Sequence, residues 1–352
     1  MRADHAARLR GAASRLAEAG GSALLVAPSP DLRYLIGYEP MPLERPTVLV
    51  IDGGGGVALV VPELERPLAA AAPAADLLEL VPWRDDVDPY TLIAAQVPGG
   101  GAALQRAMPG AAWASAAPIV GAMRARKDAA ELDALRRAAA AADAALGDLL
   151  SEPLTGRTER AVATTLGDLM IERGHDTAEF TIVASGPNAA SPHHEPTDRH
   201  IGAGDPIVID FGGRVDGYYS DTTRTVVVGE PPERLRTVHA VVAEAQRAAT
   251  ASVRPGVEIQ TVDRVARAVI DAAGFGDRFI HRTGHGIGLE VHEPPYAATG
   301  DHTVLEPGMA FSVEPGIYLE GEFGVRIEDI VAVTDDGVES LNTTSRGLVV
   351  VD

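Results

Sequence analysis

The feature that most constrains the fold is a weak internal repeat in the second part of the chain, with a period of roughly 100 residues. Each copy has a glycine before a helical pattern and another after it: Gly156 and Gly174, then Gly256 and Gly274. A strand-like run comes next, at residues 181–186 in the first copy and 278–284 in the second. A histidine-bearing segment and two further strand-like runs follow in the same order in both copies. The repeat therefore predicts two similar halves that face each other across a pseudo-two-fold axis.

Each half also carries two carboxylates on apolar strands. Asp210 ends the run PIVID and Glu314 follows FSV at the corresponding place, while Asp221 and Glu328 lie on the next strand of each half. A carboxylate on such a strand is costly to bury unless it is paired or bound to a metal. Side chains two positions apart share a face of a strand, so a hairpin can bring both acids of one half together. A site between the halves would thus receive two carboxylates from each.

A histidine in a glycine-rich segment completes this set. His285 lies between Gly284 and Gly286, which we expect to let the backbone approach the site. One imidazole with four carboxylates favours Mn²⁺, Fe²⁺, Co²⁺ or Zn²⁺ over Mg²⁺ or Ca²⁺. Four anionic ligands are more than one divalent ion needs and are typical of two ions about 3.5–4 Å apart. Any one of the five residues alone would be read as a turn, cap or structural residue, so the metal site is predicted from their joint pattern.

Bulk properties exclude several classes of protein. A net charge of −20 repels phosphate backbones and anionic lipids, so neither nucleic acid nor a membrane is expected as a partner. The chain has no cysteine, which excludes disulfides, thiolate metal sites and a cysteine nucleophile. The N-terminus lacks the apolar stretch of a signal peptide, and the expected compartment is the cytoplasm. The charge-free stretches Pro89–Gln105 and Ala107–Met123 are predicted to be loops and buried segments rather than membrane spans.

A change of sequence pattern predicts a domain boundary. The first part contains an amphipathic helix and three strand-like runs, at residues 4–19, 22–27, 46–52 and 57–62. The four glycines at Gly53–Gly56 lack the Lys-Ser/Thr of a phosphate-binding loop and lead into a strand, which favours a hairpin turn. A long helix then begins at Asp128, with Glu131 at capping-box spacing. Domains are therefore predicted at residues 1–123 and 124–352.

On these residues the second domain resembles the pita-bread metallopeptidases, the family of methionine aminopeptidase, aminopeptidase P and prolidase. The motifs that carry the resemblance contain all five family ligands: Asp210 in VIDFGG, Asp221 in YYSDTTRT, His285 in HRTGHGIG, Glu314 in SVEPGIY and Glu328 in GVRIEDIV. The segment DLRYLIGY (31–38) resembles part of the creatinase-like N-domain. Methionine aminopeptidases generally lack this domain, so the resemblance is to the Xaa-Pro branch of the family.

The resemblance implies the fold and the cofactor. The expected fold is α+β, a C-terminal pita-bread domain with a pseudo-two-fold repeat, preceded by a smaller α/β creatinase-like N-terminal domain. The five family ligands imply two divalent metal ions per chain, with manganese first and cobalt, zinc or iron as alternatives. Family members are commonly dimers through the N-domain, so a homodimer is expected.

The resemblance also implies roles for further residues. His193 matches the family histidine that contacts the scissile region, and His292 matches a second one near the substrate carbonyl and proline. Glu314 is implied as a proton shuttle as well as a ligand. Arg326 matches an arginine that either anchors a substrate carboxylate or orients the ligands. His194 is a lesser candidate, because adjacent side chains on an extended segment point to opposite faces. Packing or supporting roles are expected for His281, Tyr218 and Tyr219.

The implied reaction is hydrolysis of the Xaa-Pro peptide bond of dipeptides or short peptides by metal-activated water. An aminopeptidase P would act on longer peptides and need an open exit, whereas a chain of this size without a third domain favours the dipeptidase. A creatinase-like C–N hydrolase is a second alternative, although creatinases lack the full ligand set. A metal-free binding homologue is a third, and such homologues typically lose ligands.

Overall fold

The computed structural model describes residues 4–42, 44–97, 112 and 114–352, so parts of both predicted loop stretches lie outside the described residues. The chain divides into two compact units, Met1–Arg124 and Ala125–Asp352. Among the helices of the described ranges, none combines the length and the apolar character that a membrane-spanning segment requires.

The first unit contains one mixed sheet and short helices. Its described α-helices are α1 to α4, with the bounds His5–Glu18, Pro30–Ile36, Arg66–Ala70 and Pro89–Ala95. Its strands are β1 to β4, with the bounds Ala23–Val26, Val48–Asp52, Val57–Pro62 and Glu79–Trp83. The sheet order is β1-β2-β3-β4, with the β3–β4 pair parallel and the other two pairs antiparallel. A π-helical turn at Ala117–Gly121 leads into a short helix, α5, at Ala122–Ala125.

The sequence predicts several elements of this unit, but its loop prediction for Ala107–Met123 misses the π-helical turn and the start of α5. The first helix, the three strands and the glycine hairpin are confirmed; Asp52 accepts hydrogen bonds from the backbone N–H groups of Gly54 and Gly56 at 2.6 and 3.0 Å. The loop prediction is wrong for residues 89–95, which form α4. The start of α4 is marked in the sequence by Asp88 and by the proline that follows it at the first helical position. In the structure Asp88 accepts a hydrogen bond from the Tyr90 N–H.

The second unit contains four long helices and most of the strands. Its helices α6 to α9 have the bounds Ala129–Leu149, Glu159–Glu172, Glu233–Ser252 and Gln260–Ala272. Its strands β5 to β16 have the bounds Thr177–Ser185, Pro206–Val215, Tyr218–Tyr219, Thr222–Val228, Gly284–Gly286, Glu293–Ala297, Ala310–Val313, Gly316–Leu319, Phe323–Arg326, Asp329–Val333, Val338–Ser340 and Val349–Val351. Short 3-10 helices occupy Ala75–Leu77 in the first unit and Gly186–Ala190 and Gly276–Arg278 in the second. The capping box at the start of α6 is confirmed, because Asp128 and Glu131 bond each other's backbone N–H groups.

The predicted repeat is visible in the topology of the second unit. In the first half, β5, β6 and β8 are neighbours in one sheet, and β16 extends it beside β8. In the second half, β9, β11 and β14 are neighbours in the same order, with β10 and β15 at the two edges. Each half packs two helices over its sheet around a hydrophobic core of its own, α6 and α7 in the first half and α8 and α9 in the second.

Backbone hydrogen bonds repeat as well. Gly156 donates to the Ile201 carbonyl at 2.8 Å, and Gly256 donates to the Leu305 carbonyl at 2.9 Å. Isolated antiparallel bridges occur at the matching places, Thr158 with His200 and Glu258 with Val304. The same pair of backbone contacts thus fixes the segment before α7 in the first half and the segment before α9 in the second.

One strand predicted from the repeat is wrong over most of its length. The run at residues 278–284 was expected to match the strand at 181–186, but only Gly284–Gly286 form a strand there. The Arg267 guanidinium donates to the backbone carbonyls of Phe279 and His281. A sheet ladder needs these carbonyls as acceptors, so the segment stays irregular until residue 284.

Candidate metal centre

The strand register of the first half places its two acids on one face. Asp210 in β6 lies directly opposite Thr223 in β8. Residues opposite each other in an antiparallel pair share a face, and so do residues two apart along a strand. Asp221 is two positions before Thr223, so Asp210, Thr223 and Asp221 all present their side chains on the same face.

The second half repeats this arrangement. Val313 pairs with Asp329, so the register continued by one residue sets Glu314 opposite Glu328. Phe311 pairs with Gly286, so Ser312 lies beside His285, and the His285 N–H donates to the Ser312 hydroxyl at 3.0 Å. Because Ser312 and Glu314 are two apart, the second half contributes one histidine and two glutamates to a single face.

The two faces meet where the sheets join. Thr223 and Glu328 form an antiparallel bridge between the halves. Asp210, Asp221 and Glu328 offer carboxylate oxygens that all lie within 4.8 Å of one another, and the same holds for ligand atoms of His285, Glu314 and Glu328. The Nε2 atom of His285 lies 3.5 Å from an Asp221 oxygen and 3.4 Å from a Glu314 oxygen. All five predicted ligands therefore belong to one cluster that could hold metal.

The electrostatics of this cluster call for cations. Burial, together with the neighbouring Asp210 and Glu314, raises the pKa of Asp221 well above its ordinary value. Burial likewise raises the pKa of Glu314 to about 7, and burial with Asp221 and Glu314 raises that of Glu328 strongly. These carboxylates are thus poorly compensated by the protein itself, and divalent cations would supply the missing positive charge.

Unpaired oxygens point to the same conclusion. Asp210 Oδ1 and Glu328 Oε1 are buried and have no hydrogen-bond partner among the described residues. A buried carboxylate oxygen without a partner carries a cost of about 1–3 kcal/mol or more. One such atom comes from each half, and both belong to the cluster of close acids. The donor set, its burial and these two oxygens therefore fit a divalent metal site.

Hydrogen bonds fix the orientation of the candidate ligands. The Thr223 hydroxyl donates to Glu328 Oε2 at 2.7 Å, and the Ser312 hydroxyl donates to Glu314 Oε1 at 3.1 Å. His285 Nδ1 lies 3.1 Å from the Gly286 carbonyl, which selects the tautomer that leaves Nε2 free to bind a metal. Burial, with His292 nearby, lowers the pKa of His285 to about 3, so its imidazole is neutral as a ligand must be.

Arg326 is held by the protein on several sides. Its guanidinium pairs with Asp210 Oδ2 and donates to the Tyr318 hydroxyl at 2.9 Å and the Thr223 hydroxyl at 3.2 Å. A fourth, longer bond reaches the carbonyl of Pro192. The sequence leaves two roles open for this residue, and these contacts favour the one that orients ligands.

The cluster lines a cavity of about 500 Å³, whose rim carries both predicted catalytic histidines. The ring of His292 lies edge-on to that of His285, with the centroids 4.1 Å apart. His193 lines the same cavity, whereas His194 turns away and contacts Glu159 at 3.0 Å. The expectation that only one of the two adjacent histidines faces the site agrees with this geometry.

Several residues around the site were not singled out from the sequence. Thr223 and Ser312 each lie two positions from a candidate ligand, and this spacing was the available signal. The glycines beside His285 are required by the packing of the strands: a Cβ at Gly284 would lie 1.8 Å from the Ser312 carbonyl oxygen, and one at Gly286 would lie 2.5 Å from that of Glu293. That they also let the backbone approach a bound group stays a prediction.

Comparison with known proteins gives the family. Residues 133–335 match the model of metallopeptidase family M24, and residues 8–126 match that of the creatinase/prolidase N-terminal domain. The chain is 42% identical to the probable dipeptidase PepE of Mycobacterium tuberculosis, over 99% of this chain and 96% of that protein. It is also 42% identical to the Xaa-Pro dipeptidase of Pyrococcus furiosus, over 62% of this chain and 63% of that one.

A solved structure agrees over the whole length. The recombinant prolidase of Thermococcus sibiricus superposes with a TM-score of 0.92 at 35% identity, covering 100% of both chains. The predicted α+β fold is thereby confirmed: a C-terminal pita-bread domain with an internal repeat, preceded along the chain by a smaller α/β domain. The protein belongs to metallopeptidase family M24 and is a metallopeptidase with a creatinase/prolidase N-terminal domain.

Proposed function

We propose that this metallopeptidase hydrolyses the Xaa-Pro bond of dipeptides and short peptides at a dinuclear metal site. The observation that carries the proposal is the buried cluster of four carboxylates and one imidazole on the wall of a 500 Å³ cavity, with an unpaired oxygen from each half. The names of the Pyrococcus and Thermococcus relatives support the substrate class.

The metal ligands are Asp210, Asp221, His285, Glu314 and Glu328. Two divalent ions bound by them would lower the pKa of a shared water molecule and polarise the scissile carbonyl. Manganese is the first choice for this oxygen-rich set, with cobalt, zinc and iron as alternatives.

The side chains of the site supply the proton chemistry. Glu314 accepts the proton of the attacking water and passes it to the proline nitrogen, which leaves as the C–N bond breaks. His292 and His193, both on the rim of the cavity, donate hydrogen bonds to the oxygen of the tetrahedral intermediate. The products are a free amino acid and a peptide or amino acid that begins with proline.

Arg326 positions this machinery. Its bond to Asp210 fixes one ligand, and its bond to Thr223 fixes the hydroxyl that holds another, Glu328. A substrate-binding role for Arg326, expected from the sequence, would require the guanidinium to give up one of these partners. We therefore assign it orientation of the ligands.

Substrate length is tested by a direct comparison. Initial rates on Ala-Pro, Ala-Pro-Ala and Ala-Ala should be measured with Mn²⁺ in excess. A dipeptidase cleaves Ala-Pro faster than the tripeptide and leaves Ala-Ala largely intact. Equal or greater rates on Ala-Pro-Ala would overturn the dipeptidase assignment in favour of an aminopeptidase. An enzyme that cleaves none of the three peptides would favour the creatinase-like or metal-free alternatives, which the complete ligand set argues against.

The remaining expectations concern partners and compartment. The net charge of −20 argues against nucleic acid and anionic membranes as partners. A cytoplasmic compartment and a homodimer stay predictions, the second checked by light scattering on the purified protein.

A further inference from the structure

Two arginines line the metal cavity, Arg282 and Arg326, and their surroundings differ. Arg326 makes four hydrogen bonds to the protein, including an ion pair. Arg282 is half-buried, and within the described residues its guanidinium has no hydrogen bond or ion pair with another side chain. Its contact is with the ring of Tyr296, whose centroid lies 4.5 Å from the guanidinium carbon.

Stacking on an aromatic ring uses the face of a guanidinium and leaves its N–H edge available. The planar edge of arginine matches a carboxylate through two parallel hydrogen bonds. Tyr296 thus restricts Arg282 to an orientation in which its donors stay free, without neutralising its charge. Such a group is prepared for an anionic ligand.

A dipeptide brings that anion to the cavity. The carboxylate of Xaa-Pro is attached to the carbon beside the leaving nitrogen, so it must lie close to the reacting bond. In the proposed enzyme the two divalent ions balance the charge of the four carboxylates on the cavity wall, which leaves no surplus positive charge for the carboxylate of the substrate. A cation within the cavity is therefore needed to bind a dipeptide, and it must be one that the protein has not already paired.

The position of Arg282 agrees with this requirement. Arg282 lies on the wall of the same cavity as His292 and Glu314. Tyr296, on which it stacks, pairs with the candidate ligand His285 across β9 and β10. Arg282 thus belongs to the part of the cavity that bears the rim histidine and the candidate ligands.

We propose that Arg282, stacked on Tyr296, binds the free carboxylate of the proline in an Xaa-Pro dipeptide and so selects dipeptides over longer peptides. The inference rests on the proposed function and adds the determinant of substrate length. It gives Arg282 a binding role in contact with the substrate.

The test compares substrates that differ only in that carboxylate. KM and kcat are measured for Ala-Pro and for Ala-Pro amide with wild type and Arg282→Met. Loss of a charge-assisted hydrogen bond should raise KM for Ala-Pro by about 10–100-fold, with kcat changed less than about threefold. Ala-Pro amide lacks the carboxylate, so its kcat/KM should change by less than about threefold under the same substitution.

Further variants keep the test decisive. Arg282→Lys keeps the charge and should restore part of the binding of Ala-Pro, even if the methionine variant folds poorly. Arg278→Met removes an exposed arginine from the neighbouring 3-10 helix and should leave both substrates unaffected. Proline should inhibit the Arg282→Met enzyme about 10–100-fold more weakly than wild type, with inhibition by prolinamide unchanged.

The outcomes separate the two proposals. Wild-type enzyme that cleaves neither Ala-Pro nor its amide would overturn the proposed function. If wild-type enzyme cleaves Ala-Pro but Arg282→Met changes kcat/KM for both substrates equally, or for neither, the role of Arg282 is overturned. The proposed function then stays intact.

Discussion

Thr223 shows how single residues complete the proposed metal centre. Its hydroxyl donates to Glu328 and accepts a hydrogen bond from Arg326, so one small side chain joins a candidate ligand to the arginine beside it. The partners of metal ligands hold them in the binding geometry, and their loss typically costs 10–100-fold in metal affinity or activity. The side chain is completely buried, so water cannot replace the lost hydroxyl.

We predict that Thr223→Val weakens metal binding by about 10–100-fold. Valine has the same shape but leaves Glu328 Oε2 and Arg326 Nε without their partner, which also lowers the free energy of unfolding by about 1–3 kcal/mol. Metal affinity is measured by calorimetric titration of the metal-free protein with Mn²⁺.

Thr225→Val is the matched control for this variant. Thr225 lies two residues further along the same strand and exchanges hydrogen bonds with the backbone N–H and carbonyl of Arg326, not with a ligand. It should cost similar stability and leave Mn²⁺ affinity within about threefold, because no candidate ligand loses a partner. Equal loss of affinity in both variants would contradict the role assigned to Thr223.

At the scale of elements, the first turn of one helix in each half carries a buried carboxylate that holds loops near the site. Glu159 in α7 accepts hydrogen bonds from Ser185, Asn188, His194 and Thr197. In the second half, α9 supplies Asp263, which accepts hydrogen bonds from the backbone and hydroxyl of Thr283 and from Thr299. The segment that bears His193 is thereby tied to a helix and not left as a free loop.

We predict that Glu159→Gln destabilises the second unit by about 3 kcal/mol at pH 7, because an amide cannot accept all of these bonds. This should lower the Tm by roughly 5–10 °C. The exposed Glu172 at the other end of α7 is the control, and Glu172→Gln should change the Tm by less than about 2 °C. Calorimetry on both variants checks the prediction.

The pH dependence of this effect has a definite sign. Burial raises the pKa of Glu159, but hydrogen bonds led by those of Thr197 and Ser185 outweigh it and lower the pKa to about 2. A carboxyl whose pKa is lowered in the folded state stabilises that state at any pH above its ordinary pKa near 4.5. The stabilisation is lost as the pH falls toward 2. The Tm difference between wild type and Glu159→Gln should therefore narrow between pH 5 and pH 3; a difference that stays constant would contradict the account.

The sequence predicts some of these elements and not others, for physical reasons. Asp210 lies on β6, while Asp221, Glu314 and Glu328 directly adjoin β8, β11 and β14. The period of two along a strand therefore fixes the faces of these acids once the strands are known. The segment 278–283 is irregular because Arg267 takes its carbonyls, and a contact between distant residues leaves no local pattern. The free edge of Arg282 is invisible in the sequence for the same reason, since only the fold places Tyr296 beneath it.

At the scale of the whole molecule, the repeat explains why the proposed site requires both halves of the second unit. Each half has its own core of two helices on a sheet, and neither half alone brings more than two of the four acids together. The halves meet at the bridge between Thr223 and Glu328, where the acids of both converge. Folding and metal binding should thus support each other, since bound cations relieve the repulsion that the folded state creates.

Whether the cluster binds two metal ions is tested by the metal content of the purified protein after equilibration with Mn²⁺, measured by mass spectrometry beside the rate on Ala-Pro. We expect two ions per chain, fewer in Glu328→Gln, and a rate that a chelator abolishes and Mn²⁺ restores. Fewer than one bound ion per chain, with an undiminished rate on Ala-Pro in the presence of the chelator, would contradict the proposed dinuclear site.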